Sequence, residues 1–203
     1  MLHRINIEPA QTTLVPQKIF PPEWSSAIAE LNFQFDPERQ CVLSEIHNNL
    51  VFVSVVDKQT YDAALSLFPT GEYYSTYRLL FQAFEKLARS DKRNRHQIFA
   101  HIAPNTLDLF VFEKHIPIFV NTFSLRTPND LLYYLLHVMN RLKIDTGGLV
   151  LKMIDSASHS RHLMQTLESH FLSVVKLSDR ENPLNLRVPV QPGFSLINSA
   201  LCE

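Results

Sequence analysis

Residues His96–Arg141 read HQIFAHIAPNTLDLFVFEKHIPIFVNTFSLRTPNDLLYYLLHVMNR, and this stretch decides the fold. It contains three consecutive strand-like runs, Gln97–Ala103, Leu107–Glu113 and Ile116–Thr122, and then a long helical pattern. In the middle run Leu107, Leu109 and Val111 alternate with Phe110 and Phe112, so both faces are apolar. A strand apolar on both faces is covered on both faces, which predicts a sheet inside a layered α/β domain. The helix has a defined start, with Thr127 as N-cap, Pro128 at the first helical position and Asp130 at the third. Leu131, Leu135, Met139 and Leu142 then recur at helical spacing and predict its buried stripe.

Ahead of this stretch, Ile5–Glu8 and Thr12–Val15 read as short strands stopped by Pro9 and Pro16. Pro21-Pro22 opens a helix through Trp24, Ile28 and Leu31. Gln40–His47 and Leu50–Val56 form a strand pair around Asn48-Asn49, and the nearly all-apolar second strand should be central. Asp57 caps a helix through Tyr61, Ala64 and Leu65 that ends at Phe68-Pro69 and Gly71. An extended piece at Tyr73-Tyr74 precedes a helix that begins at Ser75, with Tyr77, Leu80, Phe81, Phe84 and Leu87 on its apolar face. The basic run Lys92-Arg93-Asn94-Arg95 after it reads as a solvated linker.

Behind the stretch, Gly147-Gly148 are expected to stop the long helix as its C-cap. Leu149–Ile154 is a further buried strand, a helix runs from Ser160 to Phe171, and Leu172–Leu177 closes the unit. The tail 178–203 is polar and proline-broken, and its Gly193-Phe194-Ser195-Leu196-Ile197 segment is apolar enough to dock on the first half.

Lys plus Arg number 19 against 20 Asp plus Glu, so overall charge gives no case for a nucleic-acid or anionic-membrane partner. The two cysteines, Cys41 and Cys202, are far apart and form no CxxC, which argues against a disulfide framework or a cysteine zinc site. The first residues hold no apolar run of signal-peptide length, and no run approaches the ~18 residues of a membrane span. A soluble cytoplasmic protein is expected.

From His96 the order is strand, strand, strand, helix, strand, helix, strand, and residues before Arg95 give a related order lacking the front strands and carrying an added hairpin. This order resembles a ribonuclease H-like unit, and two in tandem resemble the actin-like ATPase superfamily. More specifically, the chain resembles a bacterial domain-of-unknown-function family with an actin-like ATPase fold. The resemblance is carried by Thr12-Thr13-Leu14-Val15-Pro16, by Asn121-Thr122-Phe123-Ser124 running into Asp130-Leu131-Leu132-Tyr133-Tyr134, and by Ala200-Leu201-Cys202-Glu203. It covers most of the chain and implies three parts: a first ribonuclease H-like half over 1–95, a second over 96–177, and the tail 178–203. Members of that family carry more strands ahead of the segment that is Ile5–Pro16 here, so the first half reads as shortened at its N-terminus.

The resemblance also implies where a nucleotide would lie. In actin-like ATPases the phosphates sit between two halves, against tight strand–strand turns with glycines and an Asp for the metal-bound water. Glycine matters there because only a backbone without Cβ lets successive N–H groups close on phosphate oxygens. Here the turn after Ile102 is Ala103-Pro104-Asn105-Thr106, with no glycine and a proline that removes one N–H. His101 stands where an acid would be expected, and Asp108 is the nearest carboxylate. The segment after Ile154, Asp155-Ser156-Ala157-Ser158, lacks the glycine pair that would lie against adenosine. A divergent ATP–magnesium site would have to use Asn105, Thr106, Asp108 and Ser156 as remnants of the cleft. A two-metal nuclease needs an acid on the first strand, and Gln97–Ala103 has none.

His159 and His162, with His170 further on, share a segment at helical spacing, but no His-Glu-x-x-His pattern accompanies them, so surface histidines are expected. His47, His101 and His137 fall in apolar segments, where hydrogen-bonded structural histidines are the default. Tyr73-Tyr74 and Tyr133-Tyr134 could line a binding groove, although core and boundary packing is the commoner role of such residues, and Trp24 is open to either. There is no Gly-x-Ser-x-Gly and no catalytic metal motif. The sequence therefore predicts a non-catalytic actin-like binding or scaffold module with no catalytic residues, bound metal or cofactor. Its alternative is a divergent ATP-binding protein or ATPase. A protein partner, or self-association through an exposed sheet edge, is expected in place of catalysis.

Overall fold

The computed structural model describes residues 4–91, 93–155 and 161–177. The chain divides into two compact units, Met1–Phe81 and Gln82–Glu203.

In the first unit β1 (Arg4–Ile7) is followed by β2 (Gln11–Pro16), α1 (Ser25–Asn32), β3 (Gln40–His47), β4 (Leu50–Asp57), α2 (Lys58–Leu67) and β5 (Glu72–Ser75). The strands form two sheets. β4 is central in an antiparallel β2-β4-β3 sheet, as its apolar composition predicts, and β1 pairs in parallel with β5. One face of β4, Val51, Val53 and Val55, packs with Ala29 of α1. The opposite face carries Phe52, whose ring meets Phe81 edge-on at 5.1 Å. Within the β2–β4 pair, Thr12 and Ser54 are register partners, and their buried hydroxyls lie 2.9 Å apart. The Asp57 side chain caps α2 by accepting the Thr60 N–H at 2.7 Å.

α3 (Thr76–Ser90) starts within the first unit and ends within the second. Ser75 caps it, its hydroxyl accepting the Arg78 N–H at 3.2 Å. Burial extends beyond the expected stripe, because Leu79 and Ala83 are buried as well as Tyr77, Leu80, Phe81 and Phe84.

The second unit continues with β6 (His96–Ile102), β7 (Thr106–Glu113), β8 (Ile116–Ser124), α4 (Pro128–Leu142), β9 (Val150–Asp155), α5 (Arg161–Glu168) and β10 (Ser173–Lys176). They build one five-stranded sheet in the order β10-β9-β6-β7-β8. β6, β7 and β8 are antiparallel neighbours, whereas β9 and β10 run parallel to β6. This is the connectivity and order expected of a ribonuclease H-like unit. The parity of β7 separates two cores. Leu107, Leu109 and Val111 join Ile98, Ala100 and Ile102 of β6 beneath Leu131, Leu135 and Met139 of α4. On the other face Phe99, Phe110 and Phe112 form a ring cluster with Phe84, in which Phe84 stacks on Phe99 at 4.9 Å.

β8 stands at the edge of the described sheet and carries a bulge, where the register shifts between Val111 and Phe112. Phe112 faces Pro117 and Val111 faces Phe119, so Ile118 is the extra residue.

Two expectations are corrected. Gly147-Gly148 do not stop α4; Lys143 does, in the left-handed region at φ 56°, and the Ile144 N–H then closes on the Met139 carbonyl at 2.9 Å. The glycines lie in a separate 3₁₀ turn, Thr146–Gly148, and no described glycine has positive φ. His137 is also not a core histidine: it is exposed and stacks on the exposed Tyr133 at 5.6 Å. The tail 178–203 expected to dock on the first half lies outside the described residues.

Asp130 holds the start of α4 by accepting the Thr127 N–H at 2.8 Å, the Arg126 N–H at 2.7 Å and the Thr127 hydroxyl at 2.9 Å. These bonds, the Thr127 N–H foremost, keep its carboxyl below the usual carboxylate range. A depressed carboxyl contributes stability above its unfolded value and loses it as pH falls. Asp130→Ala should therefore melt at lower temperature than the parent at neutral pH. Thermal melts across a pH series should show the gap closing as pH drops below the ordinary aspartate range.

Candidate functional site

The turn that the sequence marks for a phosphate joins β6 to β7. Ala103 donates its N–H to the Thr106 carbonyl at 2.9 Å, and the Asn105 carbonyl accepts the Leu125 N–H at 2.7 Å. Pro104 has no N–H to offer. The turn is thus closed by its own backbone, and no glycine lets its amides fan outward. Asn105 sits exposed at its tip, while Thr106 begins β7 on the same face as Asp108. Ser156, the fourth remnant residue, lies outside the described residues.

Asp108 lies in a cross-strand row of three residues. Register pairs it with His101 on β6 and with Thr122 on β8. His101 donates from Nδ1 to Oδ2 at 2.9 Å, and the Thr122 hydroxyl donates to Oδ1 at 2.7 Å. Asp108 is only 7% exposed, so these bonds compensate a carboxylate that would otherwise be poorly solvated. The β8 bulge creates this row. A two-residue hairpin turn at Lys114-His115 without the bulge would set Asn121 opposite Asp108, and the extra Ile118 brings Thr122 there instead. Sequence reading missed Thr122 because a bulge on an apolar edge strand leaves no local signal.

The row has the members of a hydrolase triad in the wrong order. A relay needs the imidazole between carboxylate and hydroxyl, so that it can take the hydroxyl proton. Here the carboxylate is in the middle, and the Thr122 hydroxyl donates to it and not to the imidazole. The row also fails as a two-metal site. Asp155, the other buried acid of this sheet, pairs with Ile102, whereas His101 pairs with Ile154, so Asp108 and Asp155 fall on opposite faces. Asp155 is 1% exposed and accepts from Lys176 Nζ at 3.3 Å. Among the described residues no three His, Cys, Asp or Glu side chains gather to hold a metal. His170 is exposed, and the side chains of His159 and His162 are outside the described set.

A further buried acid, which the sequence did not flag, lies in the first unit. Glu45 on β3 accepts the Ser75 N–H at 2.9 Å and Arg78 Nη1 at 3.3 Å, while the Arg78 guanidinium lies 4.7 Å above the Tyr74 ring. Burial pushes the Glu45 carboxyl up, although its bonds to Ser75 and Arg78 pull the other way. A carboxylate that meets the first turn of α3 favours the positive end of the helix dipole, so Glu45 ties β3 to that helix. Tyr73 and Tyr134 pack as expected, Tyr73 donating its hydroxyl to the Phe68 carbonyl at 2.7 Å and Tyr134 stacking on Phe123 at 4.5 Å, whereas Tyr133 is exposed. Trp24 is exposed.

A family model described as "Protein of unknown function (DUF3822)" matches residues 4–174. A crystal structure of a protein from Bacteroides thetaiotaomicron VPI-5482, with actin-like ATPase fold and unknown function, is similar at TM-score 0.83 and 24% identity. That likeness covers 98% of this chain and 74% of the other. A PilM–PilN type IV pilus biogenesis complex is similar at TM-score 0.58 and 13% identity, over 94% of this chain and 75% of that one. No curated protein matches. The fold is the actin-like ATPase fold. Among the described residues no helix is long and apolar enough to cross a membrane.

Glu45 gives a signed pH prediction. Its raised carboxyl means that the folded state holds the proton more tightly, so its contribution to stability is greatest at low pH and is lost as pH rises through the raised value. Glu45→Gln keeps the shape without that loss. Denaturant melts should show Glu45→Gln close to the parent at pH 4 and gaining on it towards pH 7. Glu45→Ala should be destabilised throughout, by about 2–3 kcal/mol, because Arg78 loses its partner.

Proposed function

The chain belongs to the DUF3822 family of proteins of unknown function, and we propose that it is a non-catalytic binding or scaffold module, an actin-like fold kept without phosphate chemistry. The observation that carries this reading is the state of the β6–β7 turn and of Asp108. The turn's first amide is engaged within the turn, its second residue is proline, and both oxygens of the nearby carboxylate already accept hydrogen bonds. Phosphoryl transfer depends on positioned amides and a metal-holding acid, and this turn supplies neither. ATP and magnesium are accordingly not cofactors in this reading. Fold likeness carries no activity with it.

In place of catalysis we propose a protein partner. The similar structure of a PilM–PilN complex supports this, because there the fold is part of an assembly between proteins. Self-association belongs to the same proposal. β2 and β3 are the edge strands of the three-stranded sheet, and Ile46 on β3 is exposed, so an added strand would find open backbone groups and an apolar contact. A cytoplasmic location completes the reading, supported by Cys41 being a free thiol.

Calorimetric titration with Mg·ATP tests the central claim. No saturable heat is expected up to millimolar nucleotide, and micromolar affinity would overturn the proposal in favour of a divergent site at Asn105, Thr106, Asp108 and Ser156. Sedimentation velocity over a concentration series tests self-association. A dimer should appear as concentration rises, and Ile46→Lys should remove it; a strict monomer at the highest concentration would refute strand pairing.

A further inference from the structure

Arg93, Asn94 and Arg95, after α3, do not simply hang in solvent. They form one wall of a pocket of about 600 Å³, lined also by Arg89, Asp91 and, from the β7–β8 turn, Lys114 and His115. The two walls are tied together. Lys114 donates its N–H to the Arg95 carbonyl at 2.6 Å. The Gln97 amide, 2% exposed, donates from Nε2 to the carbonyls of Ala88, Asp91 and Lys114 at 2.9, 3.1 and 3.2 Å. This covering matters for charge as well as rigidity. The carbonyl end of a helix repels anions, and here Gln97 engages the Ala88 carbonyl in the last turn of α3.

The charges around the pocket do not cancel. Each nearby acid already has a cation: Glu85 holds Arg89 at 2.9 Å, Glu113 holds Arg95 at 2.8 Å, and Asp91 holds Lys152 at 3.1 Å. Burial would raise the Asp91 carboxyl, but hydrogen bonds from Lys152 and Asn94 outweigh it and keep it low, so Asp91 remains a satisfied anion. Arg93 and Lys114 make no ion pair within 4 Å among the described residues and add net positive charge to the pocket. Lys114 sits at φ 60°, a left-handed conformation that favours glycine, so the turn carries a cation where the backbone would be relaxed without a side chain.

We propose that this pocket binds a small polyanion, a molecule with two or more phosphate or carboxylate groups, held by Arg93 and Lys114 with Arg89 and Arg95 beside them. The volume lies within the roughly 300–1,000 Å³ of small-molecule sites and exceeds what one phosphate needs. Guanidinium groups suit oxyanions because their planar N–H donors match paired oxygens. The site is distinct from the β6–β7 turn. It adjoins His96 at the start of β6, and the turn follows Ile102 at its end, about 20 Å away along the strand.

The test is titration of the full chain with pyrophosphate and with citrate at low ionic strength, followed by calorimetry and by amide shifts. Saturable binding of at least one is expected, weakening with added salt, with shifts at residues 88–95 and 114–115. Pyrophosphate alone would identify phosphate groups as the determinant, and citrate alone would identify carboxylates. Arg93→Glu should abolish binding. Lys114→Gly removes the cation and relieves the backbone, so affinity should fall on the order of tenfold while the melting temperature holds or rises. No saturable binding of either anion at millimolar concentration would overturn the proposal. So would binding that Arg93→Glu and Lys114→Gly leave unchanged, since the anion would then lie elsewhere.

Discussion

Two-sided burial of β7 is the constraint on which the second unit depends. Six of its eight residues, Leu107–Phe112, are buried, and they alternate between an aliphatic core beneath α4 and an aromatic one around Phe84. A one-residue slip would exchange the two sets and drive Asp108 into the aliphatic side. There no His101 or Thr122 would meet it. The polar row therefore reinforces the register that the apolar residues set: the apolar parity selects the face, and the two hydrogen bonds to Asp108 reward only that choice.

The same logic recurs in the first unit at smaller scale. Thr12 and Ser54 satisfy each other across β2 and β4, and Glu45 reaches from β3 to the start of α3. Each polar group is buried at a junction between elements, where its partner comes from a different stretch of chain. Such groups contribute modest net stability when satisfied and a large penalty when misplaced, so they discriminate among packings more than they strengthen one.

What the sequence made legible follows from range. The strands around His96–Arg141, the start of α4 and the central position of β4 depend on local periodicity and capping, and all are present as read. Closing α4 with Lys143 was not legible, because a lysine in the left-handed region has no signature when two glycines stand nearby. The parallel pairing of β1 with β5 joins Arg4 to Glu72, and nothing in four-residue strands specifies so distant a neighbour. At the candidate site the missing glycines could be read directly. The engagement of Asp108 could not, because it needs the bulge that moves Thr122 into register. The basic run was visible as composition, but its pocket required knowing that the β7–β8 turn lies beside it.

The bulge on β8 has a consequence for how the molecule behaves in a crowded solution. An edge strand with exposed Ile116 and Ile118 would be a template on which another chain's strand could stack without limit. Pro117 withholds a donor from the ladder, and the extra Ile118 bends the strand, so an incoming flat strand cannot stay in step past the first few residues. That side of the sheet is thereby poorly suited to strand addition, through the same irregularity that seats Thr122 beside Asp108.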